Sequence, residues 1–419
     1  MQQSKTGIAK VLVYIKIAVH VVWKYKRHLS VKFLTRAARL LHAFYDNKLI
    51  KLNDTYKVHI YIPAYPTPAF FKAIENKLFA VPPKSVSMVL SITKACTYKC
   101  PHCYQRFDCG ADLKEDKLLQ TVKAVTDSGV CFLNIEGGDA FLRFNELCAV
   151  MDNLDSNTEV WVNSTGANVS EEKLKILKQK GVCGLMISVH GPDADSHDKF
   201  VGVPGAFELA KETLGLCAKT GLGSAINAVL TYEDIQNNTL DKIMLLAKDL
   251  DCGFVQLIHP KRAGKWLENE TLNDRDNEIR KYVEKAHAYY NSLPGYPALP
   301  AQAQEEHEDK FGCTCGGVDR FYIGASGEVQ PCEFLNISFG NVNDEDFGII
   351  FKRMRDCFKT PCTEWMCEVK AQEIFEFMKN NSITKTPVPY QFTKELVKNW
   401  KPGSPTKLYR KLGIYNYEK

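Results

Sequence analysis

Three cysteines and an aromatic residue lie close together in the segment Cys96-Thr-Tyr-Lys-Cys100-Pro-His-Cys103-Tyr104. Because the chain has 15 cysteines among 419 residues, a Cys-x3-Cys-x2-Cys triple should arise by chance in only about two of every hundred such sequences. Three thiolates in one short loop can bind an iron–sulfur cluster and leave one iron without a protein ligand. The segment therefore predicts an iron–sulfur centre with one coordination position open for chemistry.

A second concentration of cysteines occupies positions 313 to 367. Its members are Cys313, Cys315, Cys332, Cys357, Cys362 and Cys367. Their density predicts a second metal centre, either an iron–sulfur cluster or a structural zinc ion, because thiolates suit both. The remaining cysteines are isolated in sequence, and most are interpreted as small core residues. The thiol-rich loop favours a reducing cytoplasm over a secreted disulfide framework.

The elements that must position these residues follow a regular pattern from residue 87 onward. Strand patterns are predicted at 88–92, 130–135, 159–162, 184–189, 224–230 and 254–258. Helical patterns are predicted at 114–127, 171–180, 207–220 and 240–249. Six strand-and-helix units predict a parallel sheet with the helices outside it. In such sheets ligands bind at the carboxyl ends of the strands. The first cysteine loop and the loops at 137–139, 163–166 and 188–191 should therefore share one site.

These residues resemble those of radical S-adenosylmethionine enzymes of the SPASM/twitch subgroup, from about residue 87 to about residue 367. Cys96, Cys100 and Cys103 match the cluster loop of that family, and Tyr104 matches the aromatic residue that follows it. The resemblance implies a [4Fe–4S] cluster whose fourth iron is chelated by S-adenosylmethionine. It also implies reductive cleavage to a 5′-deoxyadenosyl radical that abstracts a hydrogen atom from a substrate, with an external electron donor such as flavodoxin or ferredoxin.

The resemblance also implies residues that contact S-adenosylmethionine. Gly137, Gly138 and Asp139 stand where the family usually has Gly-Gly-Glu-Pro. Glycines allow a close backbone approach, and the acid can accept a hydrogen bond from the ammonium group. The run from 187 to 207 resembles the fourth-strand signature of the subgroup, which implies that Ser188 contacts the cofactor. Gln256 resembles the position that faces adenine.

The roles of four residues in the fourth-strand region stay open. Many relatives carry Arg at the position of Val201, where it pairs with the methionine carboxylate, and Lys199 is the candidate replacement. His190 and His197 are either catalytic acids or bases or residues that satisfy turn and capping hydrogen bonds.

The resemblance implies one auxiliary iron–sulfur cluster. The subgroup's Cys…Gly-x4-Cys element is matched by Gly327 and Cys332 together with either Cys315 or Cys313, and Cys315 is favoured. The further cysteine run of a second auxiliary cluster is absent from the sequence. The predicted ligands are Cys315, Cys332, Cys362 and Cys367. A zinc ion on the same thiols is the alternative.

The N-terminal segment has an unusual charge. Residues 1–45 contain nine Lys or Arg and no Asp or Glu, so they account for the whole net charge of +5. The rest of the chain is net negative, which argues against a nucleic-acid partner. Lysines interrupt the apolar runs, so neither a transmembrane helix nor a signal peptide is predicted.

Two amphipathic helices are predicted within this segment. Their apolar faces comprise Ile8, Val11, Leu12, Ile15, Ala18, Val19 and Val22 in the first, and Phe33, Leu34, Ala37, Leu40, Leu41 and Phe44 in the second. Such a pair can lie in the interface of an anionic bilayer or can pack on the main domain. Both interpretations stay open on the sequence.

The predicted fold is α/β: a partial (βα)6 TIM-like barrel with a C-terminal SPASM/twitch-like iron–sulfur domain and an N-terminal basic helical extension. The predicted divisions are an extension with an aromatic connector (1–85), the barrel (86–262), a helical linker (263–310), the auxiliary cluster domain (311–370) and a C-terminal helix and tail (371–419).

The predicted function is radical modification of a peptide by a cytoplasmic enzyme. Whether its reaction is of the oxidoreductase, transferase or maturase type is left open. One alternative is a lipid or isoprenoid substrate for an enzyme peripheral to the inner face of the membrane, with residues 1–45 as the contact. The other is a non-catalytic electron carrier.

Overall fold

The computed structural model describes residues 2–272, 274–401 and 403–415. Its N-terminal part contains a small antiparallel sheet and three helices. In chain order the elements are β1 (Gln3–Lys5), α1 (Gly7–Lys24), α2 (Val31–Ala43), β2 (Leu49–Leu52), β3 (Thr55–Lys57) and α3 (Pro68–Leu78). Both helices predicted from the apolar periodicity are present. Across the described residues, no helix has the combination of length and apolar character needed to cross a bilayer.

The face of α1 that is buried differs from the predicted one. Val13, Ile17 and Val21 pack against the neighbouring elements. The side chains of the predicted face that stay exposed by more than half of their surface are Ile8, Leu12, Ile15 and Val19. Apolar residues occupy most of the circumference of this helix, so periodicity alone does not determine which arc meets the core.

The central region forms the predicted barrel of parallel strands. In chain order it contains β4 (Ser87–Ser91), α4 (Glu115–Asp127), β5 (Phe132–Glu136), α5 (Phe144–Asp152), β6 (Glu159–Ser164), α6 (Glu171–Gln179), β7 (Val182–Ser188), α7 (Ala194–Val201), α8 (Ala206–Thr220), β8 (Gly223–Val229), α9 (Tyr232–Gln236), α10 (Thr239–Asp249) and β9 (Phe254–Ile258). Each strand from β4 to β9 pairs in parallel with the next. All six predicted strands and all four predicted helices are present, and α5, α7 and α9 are additional.

The C-terminal part of the chain extends this sheet. Its elements are α11 (Asp276–Ser292), α12 (Gln302–Glu305), β10 (Arg320–Ile323), β11 (Val329–Gln330), α13 (Phe347–Cys357), α14 (Met366–Val369), α15 (Ala371–Asn380), α16 (Tyr390–Leu396) and α17 (Lys407–Leu412). β10 pairs in parallel with β4, and β11 pairs antiparallel with β10. The main sheet therefore has eight strands in the order β11-β10-β4-β5-β6-β7-β8-β9. The region predicted as the auxiliary domain thus contributes a hairpin to the barrel sheet.

The proline-rich part of the predicted linker also pairs with the sheet. Val255 N donates to Ala298 O at 2.8 Å, and Leu257 N donates to Pro300 O at 2.9 Å. This segment therefore lies along the free edge of β9 as a further, irregular strand. Within the predicted helical linker, the sequence predicts a charged surface helix at 273–293. The helix α11 spans Asp276–Ser292, and Asn273 lies outside the described residues.

Two apolar layers hold the barrel together. Outward-facing strand residues such as Leu133 and Ile226 pack against the surrounding helices. Inside, near the amino-terminal ends of the strands, Phe132, Trp161 and Phe254 pack against residues of the N-terminal segment that include Ile50, Leu52 and Ile60. The N-terminal segment thereby closes one end of the barrel and leaves the carboxyl ends of the strands to form a site.

A buried ion pair fixes this closure. Lys57 on β3 pairs with Glu159 on β6 at 2.5 Å, with both side chains almost fully buried. Trp161 Nε1 donates to the same carboxylate at 3.0 Å. Because a charge left buried without its partner is costly, the pair fixes the position of the N-terminal segment against the barrel.

Candidate active site

The three cysteines of the first loop follow β4 at the carboxyl end of the barrel. Cys96 is exposed, whereas Cys100 and Cys103 are half-buried. Burial, with a smaller contribution from neighbouring thiols, raises the pKa of Cys100 to about 12 and that of Cys103 to about 11. Thiols of this kind become thiolates when bound cations compensate their charge. The donor set therefore fits a positively charged iron–sulfur centre.

The Gly-Gly-Asp turn at the end of β5 packs directly on this loop. Gly138 N donates to Thr93 O at 2.7 Å, and Asp139 N donates to Ala95 O at 2.8 Å. A Cβ atom on Gly138 would lie 2.1 Å from Ala95 O, and one on Gly137 would lie 2.5 Å from Thr93 O. No side chain fits at either position, so both glycines are required for the close approach of the two loops.

The carboxylate of Asp139 is occupied by donors of the protein itself. It accepts from Phe141 N at 3.0 Å, from Thr165 N at 3.0 Å, from the Thr165 hydroxyl and from Ser164 Oγ at 3.1 Å. Asp139 is 1% exposed. Since a carboxylate offers about four acceptor positions, these four donors use its capacity. The carboxylate thus joins the loops after β5 and β6, and its predicted contact with the cofactor ammonium stays a prediction.

A ring of buried polar groups lines the inside of the barrel at the same end. These atoms have no hydrogen-bond partner among the described residues: Asn134 Oδ1, Glu136 Oε1, Asn163 Oδ1, Asn227 Oδ1, Gln256 Oε1 and the Tyr322 hydroxyl. Burial, and then the charge of Glu333, raises the pKa of Glu136. Asn163 Nδ2 donates to Glu136 Oε2 at 3.1 Å, so these two side chains are partly paired. Buried polar atoms normally have partners, so this concentration of atoms without one indicates a site for a polar ligand.

Sequence reasoning named one member of this ring, Gln256, as a cofactor contact, and placed a second, Asn163, in a loop of the same site. A signal for the others exists, because inward-facing residues alternate along each strand of a barrel. Asn134 and Glu136 are two residues apart on β5, and Asn227 and Gln256 are register partners on β8 and β9. Polar residues at alternate positions of otherwise apolar strands could therefore have been selected from the sequence.

Two other residues that were predicted to contact S-adenosylmethionine lie next to these polar side chains. Ser188, at the end of β7, is the register partner of Asn227. The ring of Tyr104 lies 5.9 Å from Tyr322 and 5.6 Å from Phe334 between centroids. Tyr104 thus connects the first cysteine loop with β10 and with the loop that carries Cys332.

The residues of the fourth-strand region have mainly packing contacts. Val201 is fully buried in a cluster with Tyr98, and Lys199 is exposed. His197 Nδ1 accepts from His190 N at 3.0 Å, and His190 Nδ1 accepts from Val229 N at 3.4 Å. These contacts support the interpretation of both histidines as acceptors for backbone groups. The substitution of Lys199 for the missing Arg stays a prediction.

The structure gathers five cysteines of the C-terminal region. They are buried, and comprise Cys313, Cys315, Cys332, Cys362 and Cys367. The backbones of Cys313 and Cys362 pair through hydrogen bonds of 2.8 and 2.9 Å. The pKa of Cys315 is raised by Cys313, by burial and by Cys362 and Cys332. The predicted ligands Cys315, Cys332, Cys362 and Cys367 are thus brought together, with Cys313 as a fifth candidate.

The gathered thiols do not form a compact three-ligand group in this structure. Among the described residues, three ligand atoms lie within 4.8 Å of one another only in the group His259, Asp276 and Glu368. The thiols of the first cysteine loop are not in such a group either, so this spacing does not separate an iron–sulfur cluster from a zinc ion. The auxiliary cluster on these cysteines stays a prediction.

The group around His259 is a charge network. Glu368 accepts from Lys261 Nζ at 2.8 Å and from Arg280 Nη2 at 2.9 Å. Both cations also lie over the ring of Trp365, at 3.0 and 3.9 Å from its centroid. Since cations already neutralise its carboxylates, this group is no metal site. It anchors the segment that carries Cys367 to the end of β9.

Comparison with known proteins agrees with this geometry. Residues 90–243 match the family described as the Radical SAM superfamily. The AdoMet-dependent heme synthase of Nitratidesulfovibrio vulgaris is 24% identical over 286 residues, which are 62% of this chain and 77% of that protein. The sporulation killing factor maturation protein SkfB of Bacillus subtilis is 25% identical over 275 residues, 63% of this chain and 64% of that protein.

A solved structure shares the fold. Streptococcus suis SuiB, bound to the precursor peptide SuiA, superposes with a TM-score of 0.51 at 14% identity over 64% of each chain. At this identity the likeness concerns the fold alone. Together with the family match, it confirms the predicted fold class and the predicted family resemblance.

Proposed function

We propose that this chain is a radical S-adenosylmethionine enzyme and that it abstracts a hydrogen atom from a substrate held inside its barrel. The observation that carries the proposal is the ring of buried polar side chains beside the first cysteine loop, each with an atom that lacks a hydrogen-bond partner among the described residues. A [4Fe–4S] cluster on Cys96, Cys100 and Cys103, when bound, supplies the electron that cleaves S-adenosylmethionine. The match to an enzyme superfamily argues against the alternative of a non-catalytic electron carrier.

The residues of this chain have distinct tasks in the proposal. Gly137 and Gly138 hold the cysteine loop against β5, and Asp139 fixes the next loop. Glu136, Ser188 and Gln256 line the space where S-adenosylmethionine would bind. The N-terminal segment closes the opposite end of the barrel, which limits access of water to the reacting groups.

The auxiliary cysteines are the second part of the proposal. Four of the five gathered thiols would hold one auxiliary iron–sulfur cluster, with Cys315, Cys332, Cys362 and Cys367 as the first choice. Tyr104 and Phe334 lie between the two cysteine groups. The substrate would therefore lie between two redox centres.

For the substrate, a peptide is the first candidate. The relatives support it, because SkfB is named a maturation protein and SuiB binds a precursor peptide. Another relative is a heme synthase, so the relatives do not share one substrate. A lipid or isoprenoid is the second candidate. It is favoured by an apolar cavity of about 280 Å³ that leads from the barrel to the N-terminal helices.

The reaction class can be tested directly. The protein, reconstituted with iron and sulfide without oxygen, is reduced in the presence of S-adenosylmethionine, and 5′-deoxyadenosine is measured. We expect its formation by the natural chain and none by a variant with Cys96, Cys100 and Cys103 replaced by alanine. An intact first cluster that yields no 5′-deoxyadenosine would overturn the proposal.

The two substrate classes can be separated by isotope transfer. Source cells are grown in deuterated medium, and their peptide and lipid fractions are offered separately to the enzyme. Hydrogen abstraction from the substrate places deuterium in 5′-deoxyadenosine. Enrichment from the peptide fraction alone supports a peptide, and enrichment from the lipid fraction alone overturns that candidate in favour of a lipid.

A further inference from the structure

An apolar cavity connects the N-terminal helices with the inside of the barrel. Its volume is about 280 Å³. One end is lined by apolar side chains of α1, α2 and α3, among them Ile17, Val21, Leu41, Phe44, Phe70 and Ile74. The other end reaches Gln256 of the polar ring, Gln302 and Arg320. The cavity is therefore apolar at one end and polar at the other.

The polar end carries groups that lack partners. Gln256 and Gln302 are 4% and 6% exposed, and the Oε1 atom of each has no hydrogen-bond partner among the described residues. The Nε atom of Arg320 is also without one, although Arg320 Nη2 pairs with Glu306 at 2.8 Å. Buried polar groups of this kind indicate the head of a bound molecule. The apolar end is suited to its hydrocarbon part.

The outer face of α1 is the second observation. Trp23 is 65% exposed, and Ile8 is 81% exposed. With Leu12, Ile15 and Val19 these side chains form a continuous apolar stripe on the helix. The residues beside and after the stripe include the exposed Lys16, Lys26 and Arg27. Apolar residues flanked by cations, with an aromatic residue at the end, are typical of helices that lie on an anionic bilayer.

The two observations belong to the same helix. Ile17 and Val21 on its inner face line the cavity, while the apolar stripe faces outward. Since a helix is about 10 Å across, a bilayer under the stripe would lie about one helix diameter from the cavity. The absence of acidic residues from positions 1 to 45 adds electrostatic attraction to an anionic surface.

We propose that α1 lies on an anionic bilayer and that the cavity takes one hydrocarbon chain of a membrane lipid, with its polar part at Gln256 and Gln302. This rests on the proposed function, because the polar end of the cavity shares Gln256 with the candidate radical site. It deepens the second substrate candidate into a defined binding site. Binding can be measured without the radical reaction, so the two proposals fail separately.

The bilayer contact is tested by sedimentation with phosphatidylcholine vesicles that contain or lack phosphatidylglycerol. We expect binding to the anionic vesicles, with a loss of about tenfold for Ile15→Asp combined with Val19→Asp. Leu245→Asp on α10, also exposed, is the matched control and should bind normally. Equal binding by the double variant would overturn the contact. Light scattering that shows a dimer dissociated by the double variant would also overturn it, because a second copy would then cover the stripe.

The cavity is tested with the fluorescent fatty acid cis-parinaric acid. Ala37 on α2 lines the cavity, and its neighbour Ala38 is exposed. We expect Ala37→Phe to weaken binding about tenfold, because the added ring fills the space, and Ala38→Phe to leave it unchanged. Iron content and thermal midpoint confirm that both variants fold. Equal affinity of the natural chain and Ala37→Phe would overturn the site. If the natural chain forms no 5′-deoxyadenosine, that result overturns the proposed function and leaves the lipid site untouched.

Discussion

The backbone N–H of Gly138 donates to the carbonyl oxygen of Thr93 at 2.7 Å. This bond places the turn after β5 against the residues that lead into Cys96. The cysteine loop is thus positioned by backbone contacts with the neighbouring strand end, in addition to its own sequence. The contact is possible because neither glycine of the turn has a side chain.

Replacing Gly138 with alanine should therefore displace the cysteine loop. The new Cβ would lie 2.1 Å from Ala95 O, so the backbone must move. We expect more than half of the iron at the first site to be lost, measured as iron and sulfide per chain. Gly215→Ala on α8 is the control, since no atom lies within 4 Å of its added Cβ. It should stabilise the protein by up to about 1 kcal/mol. Equal iron content in both variants would contradict the role of Gly138.

Replacing Glu136 with glutamine should weaken the binding of S-adenosylmethionine. Glu136 is buried in the polar ring, and its Oε1 atom has no partner among the described residues. The amide keeps the volume but cannot ionise beside a cationic ligand, so we expect an affinity loss of about tenfold with unchanged iron content. Equilibrium dialysis of the reconstituted protein measures it. Glu208→Gln on the surface of α8 should behave as the natural chain, and a Glu136→Gln variant that does the same would exclude Glu136 from the site.

Metal analysis should separate the two cysteine groups. With Cys96, Cys100 and Cys103 replaced by alanine, about four irons per chain should remain on the auxiliary thiols. Replacing Cys315 and Cys332 as well should remove them. Cys148→Ala, outside both groups, is the control. Zinc in place of iron in the triple variant would favour the zinc alternative.

Cys313 deserves a separate variant, because it pairs through its backbone with Cys362. If Cys315, Cys332, Cys362 and Cys367 are the ligands, Cys313→Ala should keep its auxiliary iron, whereas Cys315→Ala should lose most of it. Iron counts and electron paramagnetic resonance of the reduced proteins measure the difference. The reverse result would assign Cys313 as a ligand instead of Cys315.

Lys48 should make the stability of the protein depend on pH. Its buried Nζ donates to Tyr290 O and Leu293 O at 2.7 Å and to Tyr296 O at 2.9 Å. Burial lowers the pKa of Lys48 to about 7. In the unfolded chain the pKa of this lysine is higher, near 10.4. The unfolded state therefore binds the lysine's proton more tightly than the folded state does. The lysine's contribution to the free energy of unfolding therefore rises with pH between about 7 and about 10 and is constant below that range.

The variant Lys48→Met tests this dependence. It removes the donor from these three carbonyl groups and from Pro297 O, which Lys48 Nζ contacts at 3.3 Å, and this should cost about 2 kcal/mol or more. Denaturant unfolding of the natural chain and the variant at several pH values should show a stability difference that widens as pH rises. Lys117→Met on the surface of α4 is the control and should run parallel to the natural chain. If the free energy of unfolding of Lys48→Met changes with pH in the same way as that of the natural chain, the result would contradict the lowered pKa of Lys48.

Much of the barrel could be predicted from the sequence. β9 occupies the predicted residues, and the other five strands differ from prediction by no more than two residues at either end. Strand periodicity was informative because one face of each strand packs on the outer helices. β10 and β11 were not predicted, because both are short and because β4, the parallel partner of β10, is more than 200 residues away in sequence. The proline-rich segment beside β9 was missed because proline argues against a strand.

The sequence by itself determined which three thiols stand together for the proposed first cluster. The spacing of Cys96, Cys100 and Cys103 is local, so it does not depend on how the rest of the chain folds. Only the tertiary structure decided which residues surround that loop. In the folded chain the carboxylate of Asp139 joins two loops, and Glu136 and its neighbours line the candidate site. The predicted apolar face of α1 points outward. These outcomes depend on which distant surfaces bury a side chain, and contacts such as that of Asn47 with Glu305 (3.0 Å) exist only after folding.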